Sequence, residues 1–142
     1  MKVQYNNLYT HFVFITYNRL PLIKENNRDR IEKYITGIIN NNECHLYSIY
    51  ANPDHTHILI SRSPKIDEET LATIIADSSS KFINEKKLCL GNFEWQDSCS
   101  AFSVSKKDVD RVCKYILNQK EHHLKQTFAE EYNTFIKFYQ SK

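Results

Sequence analysis

The stretch PDHTHILI, residues 53–60, holds a turn and the strand that follows it. Asn52, Pro53 and Asp54 are typical of a tight turn, because proline presets its own backbone angle and asparagine and aspartate bond to nearby backbone. The residues on both sides of the turn, 44–51 and 55–61, are rich in β-branched and aromatic side chains. The sequence therefore predicts a β-hairpin here.

Two histidines share one face of the returning strand. Side chains alternate across a strand, so His55 and His57 project to one side while Ile58 and Ile60 project to the other. We expect the isoleucines to face the helices as core, which would leave the histidine pair on an opposite, open face. Neutral imidazole is a common ligand of divalent transition metals. A bare pair of this kind is equally typical of two half-exposed strand histidines that bind nothing.

Hydrophobic periodicity predicts the elements on either side of the hairpin. Residues 8–17 have the composition of a strand. Residues 25–42 carry isoleucines and a tyrosine at helical spacing. Asp67 is expected to cap a second helix, whose apolar face consists of Leu71, Ile74, Ile75 and Phe82.

The C-terminal third of the sequence predicts two short strands, at residues 93–95 and 101–104, and then helices. Ser105 with Asp108 forms a start that resembles a capping box, and the helix after it has the apolar stripe Val109, Val112, Cys113 and Ile116. Thr127 with Glu130 opens a last helix. Its buried side is expected to carry Phe128, Tyr132, Phe135, Ile136 and Tyr139.

The order strand, helix, hairpin, helix, strand and C-terminal helices predicts an α+β fold, a ferredoxin-like antiparallel sheet with helices on one face. The length of 142 residues predicts a single domain over residues 1–142. The net charge of +2 permits a nucleic-acid partner without requiring one. Four cysteines without CxxC spacing and the lack of a membrane-length apolar run predict a cytoplasmic protein with reduced thiols and no membrane partner.

Tyr115 and Gln119 are four residues apart and are expected to be neighbours on the flank of the apolar helix stripe. Arg111 and His122 lie on the same flank. Spacing alone leaves two interpretations open, because an amphipathic tyrosine at the edge of a core and a solvated amide would show the same pattern.

Three blocks of the sequence together resemble a known family. They are PDHTHILI at residues 53–60, WQ at 95–96 with AFSVS at 101–105, and YILNQKEHH at 115–123. In order and separation they are similar to the HUH-type single-tyrosine transposases of small insertion sequences, including relatives associated with repetitive extragenic palindromes. Two departures are visible: Thr56 stands where a large hydrophobic residue is usual, and Ser98-Cys99-Ser100 replaces a loop that usually has two glycines.

The resemblance implies a role for each matching residue. Tyr115 would be the nucleophile, His55 and His57 would bind a metal ion, and Gln119 would be its third protein ligand. The metal would be magnesium or manganese. The implied protein is a homodimer, in which the tyrosine helix of one subunit commonly completes the metal site of the other.

The implied reaction cleaves and rejoins single-stranded DNA at hairpin-bearing ends through a 5′-phosphotyrosine. The link conserves the energy of the phosphodiester bond, so no nucleotide cofactor is expected, and the sequence has no Walker-type glycine-rich loop. Four basic residues are candidate DNA contacts, although each is more simply explained as a solvated charge: Arg19, Arg62, Lys106 and Arg111.

Two other interpretations stay open. An open four-stranded sheet is also how RNA-recognition domains present aromatic residues to bases, but the sequence signature of those domains is absent. A domesticated relative that processes host palindromic repeats would use the same chemistry as a mobile transposase.

Overall fold

The computed structural model describes the backbone of residues 1–123 and 127–140, and the side chains of these residues apart from 122, 123, 135 and 138–140. The strands are β1 (Tyr9–Ile15), β2 (His45–Ala51), β3 (His55–Ser61) and β4 (Ser100–Val104). The helices are α1 (Glu25–Asn41), α2 (Glu68–Glu85), α3 (Val109–Leu117), α4 (Gln119–His123) and α5 (Phe128–Gln140). Two short 3-10 turns, Tyr17–Arg19 and Lys106–Asp108, complete these elements.

The four strands form one antiparallel sheet in the order β2-β3-β1-β4. The predicted hairpin is confirmed: β2 and β3 pair directly, and the Asn52 N–H donates to the His55 carbonyl at the turn (2.8 Å). β3 also pairs with β1 along its whole length. The predicted α+β, ferredoxin-like architecture is confirmed, with β3 and β1 at its centre.

One face of the sheet carries the main hydrophobic core. Ile58 and Ile60 are fully buried there, as predicted, beside Phe12 and the apolar sides of α1 and α2. Thr56 is also fully buried on this face, so the β-branched side chain takes the place of the usual larger residue. Burial of a large aliphatic or aromatic side chain contributes about 1.5–3 kcal/mol each, so this face supplies most of the driving force for folding.

The second face of the sheet is covered too, by the C-terminal helices, which corrects the expectation of an open histidine face. α3 packs its stripe, Val109, Val112 and Ile116, against Leu59 and Val104. Leu59 shares a strand face with the histidine pair, and this face is closed by α3 over Leu59 and His57 and by α5 over His55. The alternation of side chains in β3 predicted that His55, His57 and Leu59 share one face of the sheet. It did not predict that helices cover this face.

Residues 93–95 do not form the predicted strand. Trp95 makes a single bridge to Thr16. The Asn84 amide of α2 replaces strand pairing at Phe93, since it accepts from the Phe93 N–H (2.7 Å) and donates to the Phe93 carbonyl (3.1 Å). Both aromatic residues are buried, and the Trp95 indole N–H donates to the Ser79 hydroxyl (2.9 Å).

Two of the three predicted helix caps are confirmed. The Asp67 carboxylate accepts from the Thr70 N–H (2.7 Å) at the start of α2, and the Thr127 hydroxyl accepts from the Glu130 N–H (3.2 Å) at the start of α5. Ser105 differs, because its hydroxyl bonds to the Asp108 side chain. Among the helices of residues 1–123 and 127–140, none is long and apolar enough to span a membrane.

The fold predicts a large difference between two aliphatic truncations. Ile58→Ala removes a fully buried side chain and should lower the free energy of unfolding by about 2–5 kcal/mol, because the packed core cannot collapse onto the cavity. Leu117→Ala, at a position 60% exposed, should change it by less than about 0.5 kcal/mol. Urea unfolding followed by circular dichroism measures both, and equal losses would contradict this assignment of the core.

Candidate metal centre

The two histidines of β3 lie side by side in the interior of the protein. His55 is 0% and His57 1% exposed, and their ring centroids are 5.1 Å apart. The alternation of the strand places both rings over the same face, as the sequence predicted. Their burial between the sheet and the C-terminal helices was not predicted.

A carboxylate from α5 meets both rings. One oxygen of Glu131, Oε1, lies 2.8 Å from His57 Nε2 and 3.6 Å from His55 Nε2. Glu131 is itself only 1% exposed. Among the described residues, one nitrogen of each histidine and a carboxylate oxygen of Glu131 all lie within 4.8 Å of one another. These three residues form a group that could hold a metal ion.

Sequence reasoning missed Glu131, although a signal was present. Glu131 follows Phe128 by three residues and precedes Tyr132, so it lies on the buried side predicted for the last helix. Phe128 is buried and Tyr132 half-buried, whereas Phe135 and Tyr139 of that predicted side lie outside the described side chains. A glutamate inside an apolar stripe needs a partner in the fold, and here the partners are the two histidines.

The Nδ1 atoms of His55 and His57 also have partners, and these contacts fix the orientation of the two rings. His55 Nδ1 lies 2.8 Å from Asp54 Oδ1, and His57 Nδ1 lies 2.9 Å from His11 Nε2. With Nδ1 held in this way, Nε2 is the nitrogen that faces Glu131: here its N–H points at the carboxylate, and a metal ion would take the place of that proton. Both histidines therefore direct Nε2 to the place that Glu131 reaches.

His11 was also missed, although its position in β1 gives a signal. It is fully buried and pairs across the sheet with Leu59, on the face of the histidine pair. Burial holds the pKa of His11 well below its usual range, and the neighbouring His57 lowers it further, against a smaller opposing effect of Glu131. A neutral His11 ring retains an acceptor nitrogen for His57 Nδ1–H.

The charges at this site compensate one another. Burial acts to raise the pKa of Glu131, but hydrogen bonds from His55 and His57 outweigh it and lower that pKa. Burial likewise acts to lower the pKa of His55, but the bonds to Asp54 and Glu131 outweigh it and raise that pKa. The site is thus built around an ionised carboxylate, which suits a cation.

Gln119 lies close to the group but behind another residue. It is fully buried, and its Oε1 accepts from Asn52 Nδ2 (3.2 Å), which also lies 3.2 Å from His55 Nε2. α3 ends at Leu117 and α4 begins at Gln119, so the single continuous helix expected for Tyr115 and Gln119 is wrong. The two residues are still linked, because Gln119 Nε2 donates to the Tyr115 carbonyl (3.3 Å).

Tyr115 stands over the histidine face from α3. Its ring meets His57 edge-on, with centroids 5.9 Å apart and planes at 81°, and its hydroxyl oxygen is enclosed by protein. Phe128 covers the other side of the site, stacked on His55 at a centroid distance of 3.9 Å. The structure therefore brings together the predicted Tyr115, His55 and His57, and adds a cover from α5.

The donor set fits a divalent metal ion. Two imidazole nitrogens and one carboxylate oxygen are ligands of divalent metal ions.

Of the four candidate DNA contacts, Arg62 bonds to Glu68, Arg111 bonds to Asp108 and Arg19 lies over the Phe128 ring. Lys106 is exposed.

The burial of the site predicts that His57→Ala destabilises the protein. The change removes the contacts to His11 and Glu131 and strands a buried carboxylate, so the free energy of unfolding should fall by about 2–4 kcal/mol. Lys33→Ala breaks the exposed ion pair with Asp29 and should cost less than about 0.5 kcal/mol. Thermal and urea unfolding measure both changes, and a fully stable His57→Ala protein would show that this network does not form.

Comparison with known proteins gives the family. The family of IS200-like transposases matches residues 4–119, most of the chain. No curated protein sequence matches it. A crystal structure of a candidate transposase from Deinococcus radiodurans R1 is similar in fold, with 18% identity, a TM-score of 0.65, and coverage of 84% of this chain and 95% of that one.

A second solved structure, a REP-associated tyrosine transposase bound to a REP hairpin, shares 14% identity at a TM-score of 0.65. The similarity covers 87% of this chain and 72% of that one. At these identities, the two structures establish the fold alone. The family match extends across the hairpin, the histidine pair and the tyrosine helix, and on that match the chain belongs to the IS200-like transposases.

Proposed function

We propose that this protein cleaves and rejoins single-stranded DNA with Tyr115 as the nucleophile and a divalent metal ion beside it. One observation carries the proposal: the Tyr115 ring lies against His57, one of two buried imidazoles that face a carboxylate. A tyrosine, two imidazoles and a carboxylate in one enclosed site supply both a nucleophile and a metal site. The family membership supports DNA as the substrate.

His55 and His57 would hold the metal through Nε2, with Glu131 and Gln119 as candidates for the third protein ligand. Magnesium or manganese would neutralise charge on the scissile phosphate and orient it. Asp54 and His11 hold the two rings in the required orientation through Nδ1. The protein would thus hold the ion's ligands in place before substrate arrives, which would reduce the reorganisation needed during reaction.

The chemical step needs no external energy source. A tyrosine hydroxyl with a pKa near about 10 is a weak nucleophile at neutral pH, so attack depends on positioning and on charge stabilisation at the phosphate. The Tyr115 oxygen forms a bond to phosphorus as the bond from phosphorus to the 3′ oxygen breaks. Tyrosine gives up its proton and the leaving 3′ oxygen gains one. Attack by another 3′-hydroxyl on the phosphotyrosine reverses the step on a new strand.

The finer features of the substrate and assembly belong to the same proposal. We infer a single-stranded substrate with hairpins, since exposed bases can stack on aromatic side chains, and since a structural relative is bound to a REP hairpin.

We also infer a homodimer from the family resemblance. Here Tyr115 lies beside His57 of its own chain, so the site contains a nucleophile even within one subunit. Mobilisation of an element and processing of host repeats would share this chemistry.

The nucleophile can be tested by trapping the covalent intermediate. Protein incubated with manganese and single-stranded element ends should give a protein–DNA adduct on a denaturing gel, and Tyr115→Phe should reduce the adduct at least about 1,000-fold because no oxygen nucleophile remains. Tyr34→Phe is the matched control, since Tyr34 stacks on Phe82 far from the histidines and should leave adduct yield unchanged. An undiminished adduct in Tyr115→Phe would overturn the assignment.

The need for metal separates a nuclease from a binding module. EDTA should abolish the adduct, and manganese or magnesium should restore it, because the phosphate charge is otherwise uncompensated. The rival RNA-recognition module would instead bind RNA equally well in EDTA and form no adduct with any strand. Gel-shift and adduct assays on the same samples distinguish the two.

A further inference from the structure

We propose that Glu131 is the third protein ligand of the metal, and that a bound metal thereby fastens helix α5 over the histidine face. This inference rests on the metal site of the proposed function and goes beyond it. It assigns the third ligand position to a residue of α5, which lies outside the residues matched by the family.

The position of Glu131 is that of a ligand. Its Oε1 lies 2.8 Å from one Nε2 and 3.6 Å from the other. Ligand atoms that surround one ion at about 2.1 Å lie roughly 3–4 Å from each other. Glu131 Oε1 is thus close to this spacing from both nitrogens, and one nitrogen of each histidine and the carboxylate oxygen lie within 4.8 Å of one another.

Gln119 is less well placed than Glu131. Its Oε1 is engaged by Asn52 Nδ2, which stands between it and His55 Nε2. A ligand role for Gln119 would require this bond to open and Asn52 to move aside. The Glu131 carboxylate also offsets one of the two positive charges of the ion, which a neutral amide cannot do.

The contact ties metal binding to the position of α5. Phe128 and Glu131 are three residues apart on one side of α5, and they contact His55 and His57. A metal ion that binds a residue of α5 stabilises the docked position of this helix. By linkage, docking of the helix strengthens metal binding by the same free energy. Metal should therefore slow the opening of α5, and undocking of α5 should weaken metal binding.

The test compares the same change at two neighbouring positions. Mn²⁺ binding is measured by titration calorimetry for the wild-type protein, Glu131→Gln and Glu130→Gln, with His57→Gln to report on the histidine site. Glu130 is exposed at the first turn of α5, and glutamine can keep its capping role. We expect Glu131→Gln to weaken Mn²⁺ binding at least about tenfold and Glu130→Gln to change it less than about twofold.

The outcomes separate this inference from the proposed function. Wild-type affinity in Glu131→Gln, together with weak binding in His57→Gln, would overturn the role of Glu131 while leaving the histidine site in place. Loss of affinity in Gln119→Ala but not in Glu131→Gln would give the position to Gln119. Wild-type affinity in both Glu131→Gln and His57→Gln would overturn the metal site itself, and with it the metal role in the proposed function.

A second readout does not depend on affinity or catalysis. Hydrogen–deuterium exchange over residues 128–140 should slow when saturating Mn²⁺ is added to the wild-type protein and to Glu130→Gln. In Glu131→Gln, the same addition should leave the exchange of these amides unchanged. Equal exchange with and without Mn²⁺ in the wild-type protein would overturn the coupling of metal to α5.

Discussion

The contact between the Glu131 carboxylate and the two β3 histidines is the constraint on which the docking of α5 against the sheet depends. An ionised carboxylate buried to 1% exposure is stable only if its charge is matched by donors of fixed position. His55 and His57 provide these donors through Nε2, and they can do so because Asp54 and His11 hold their Nδ1 atoms. This contact therefore connects the turn at Asp54, strands β1 and β3, and helix α5. If any of them moved, the buried Glu131 charge would lose the groups that compensate it.

The two faces of the sheet have different roles: one carries the main hydrophobic core and the other carries the candidate metal site. On one face, aliphatic and aromatic side chains pack against α1 and α2. Because protein cores are close-packed, even a small change in side-chain volume there lowers the stability of the protein. On the other face a smaller apolar cluster around Leu59 supports a polar network of histidines, an amide and a carboxylate. Alternate residues of one strand serve both purposes, because the period of a strand is two. The central position of β3 makes this possible, since both of its faces are covered.

The elements that sequence predicted well are those whose signals are local. Strand alternation placed His55 and His57 on a common face, and helical periodicity with Asp67 as a cap located α2. The errors come from side-chain and packing contacts that strand alternation and helical periodicity do not contain. Asn84 takes the backbone bonds that a strand at Phe93 would have made. The burial of the histidines depends on how α3 and α5 pack, which no strand pattern contains. Glu131 lies 74 positions from His57, so its role became visible only once the helix was docked.

The docked helix also bears on how a DNA strand would reach the ion. On a six-coordinate magnesium or manganese ion, the three proposed protein donors would leave about three positions open, so a carboxylate in the third position would still leave room for phosphate oxygens. The obstruction comes from Phe128, whose ring is stacked on His55, and from Arg19 above it. Access to such an ion would therefore require displacement of an aromatic ring and an arginine, while the Glu131 carboxylate could stay in place as the proposed ligand. Both displaced groups are of kinds that bind nucleic acid well, since aromatic rings stack on bases and guanidinium groups pair with phosphates. A strand that moves Phe128 and Arg19 aside would offer each of them a replacement for the contact it loses, and this would lower the cost of opening the site to the proposed DNA substrate.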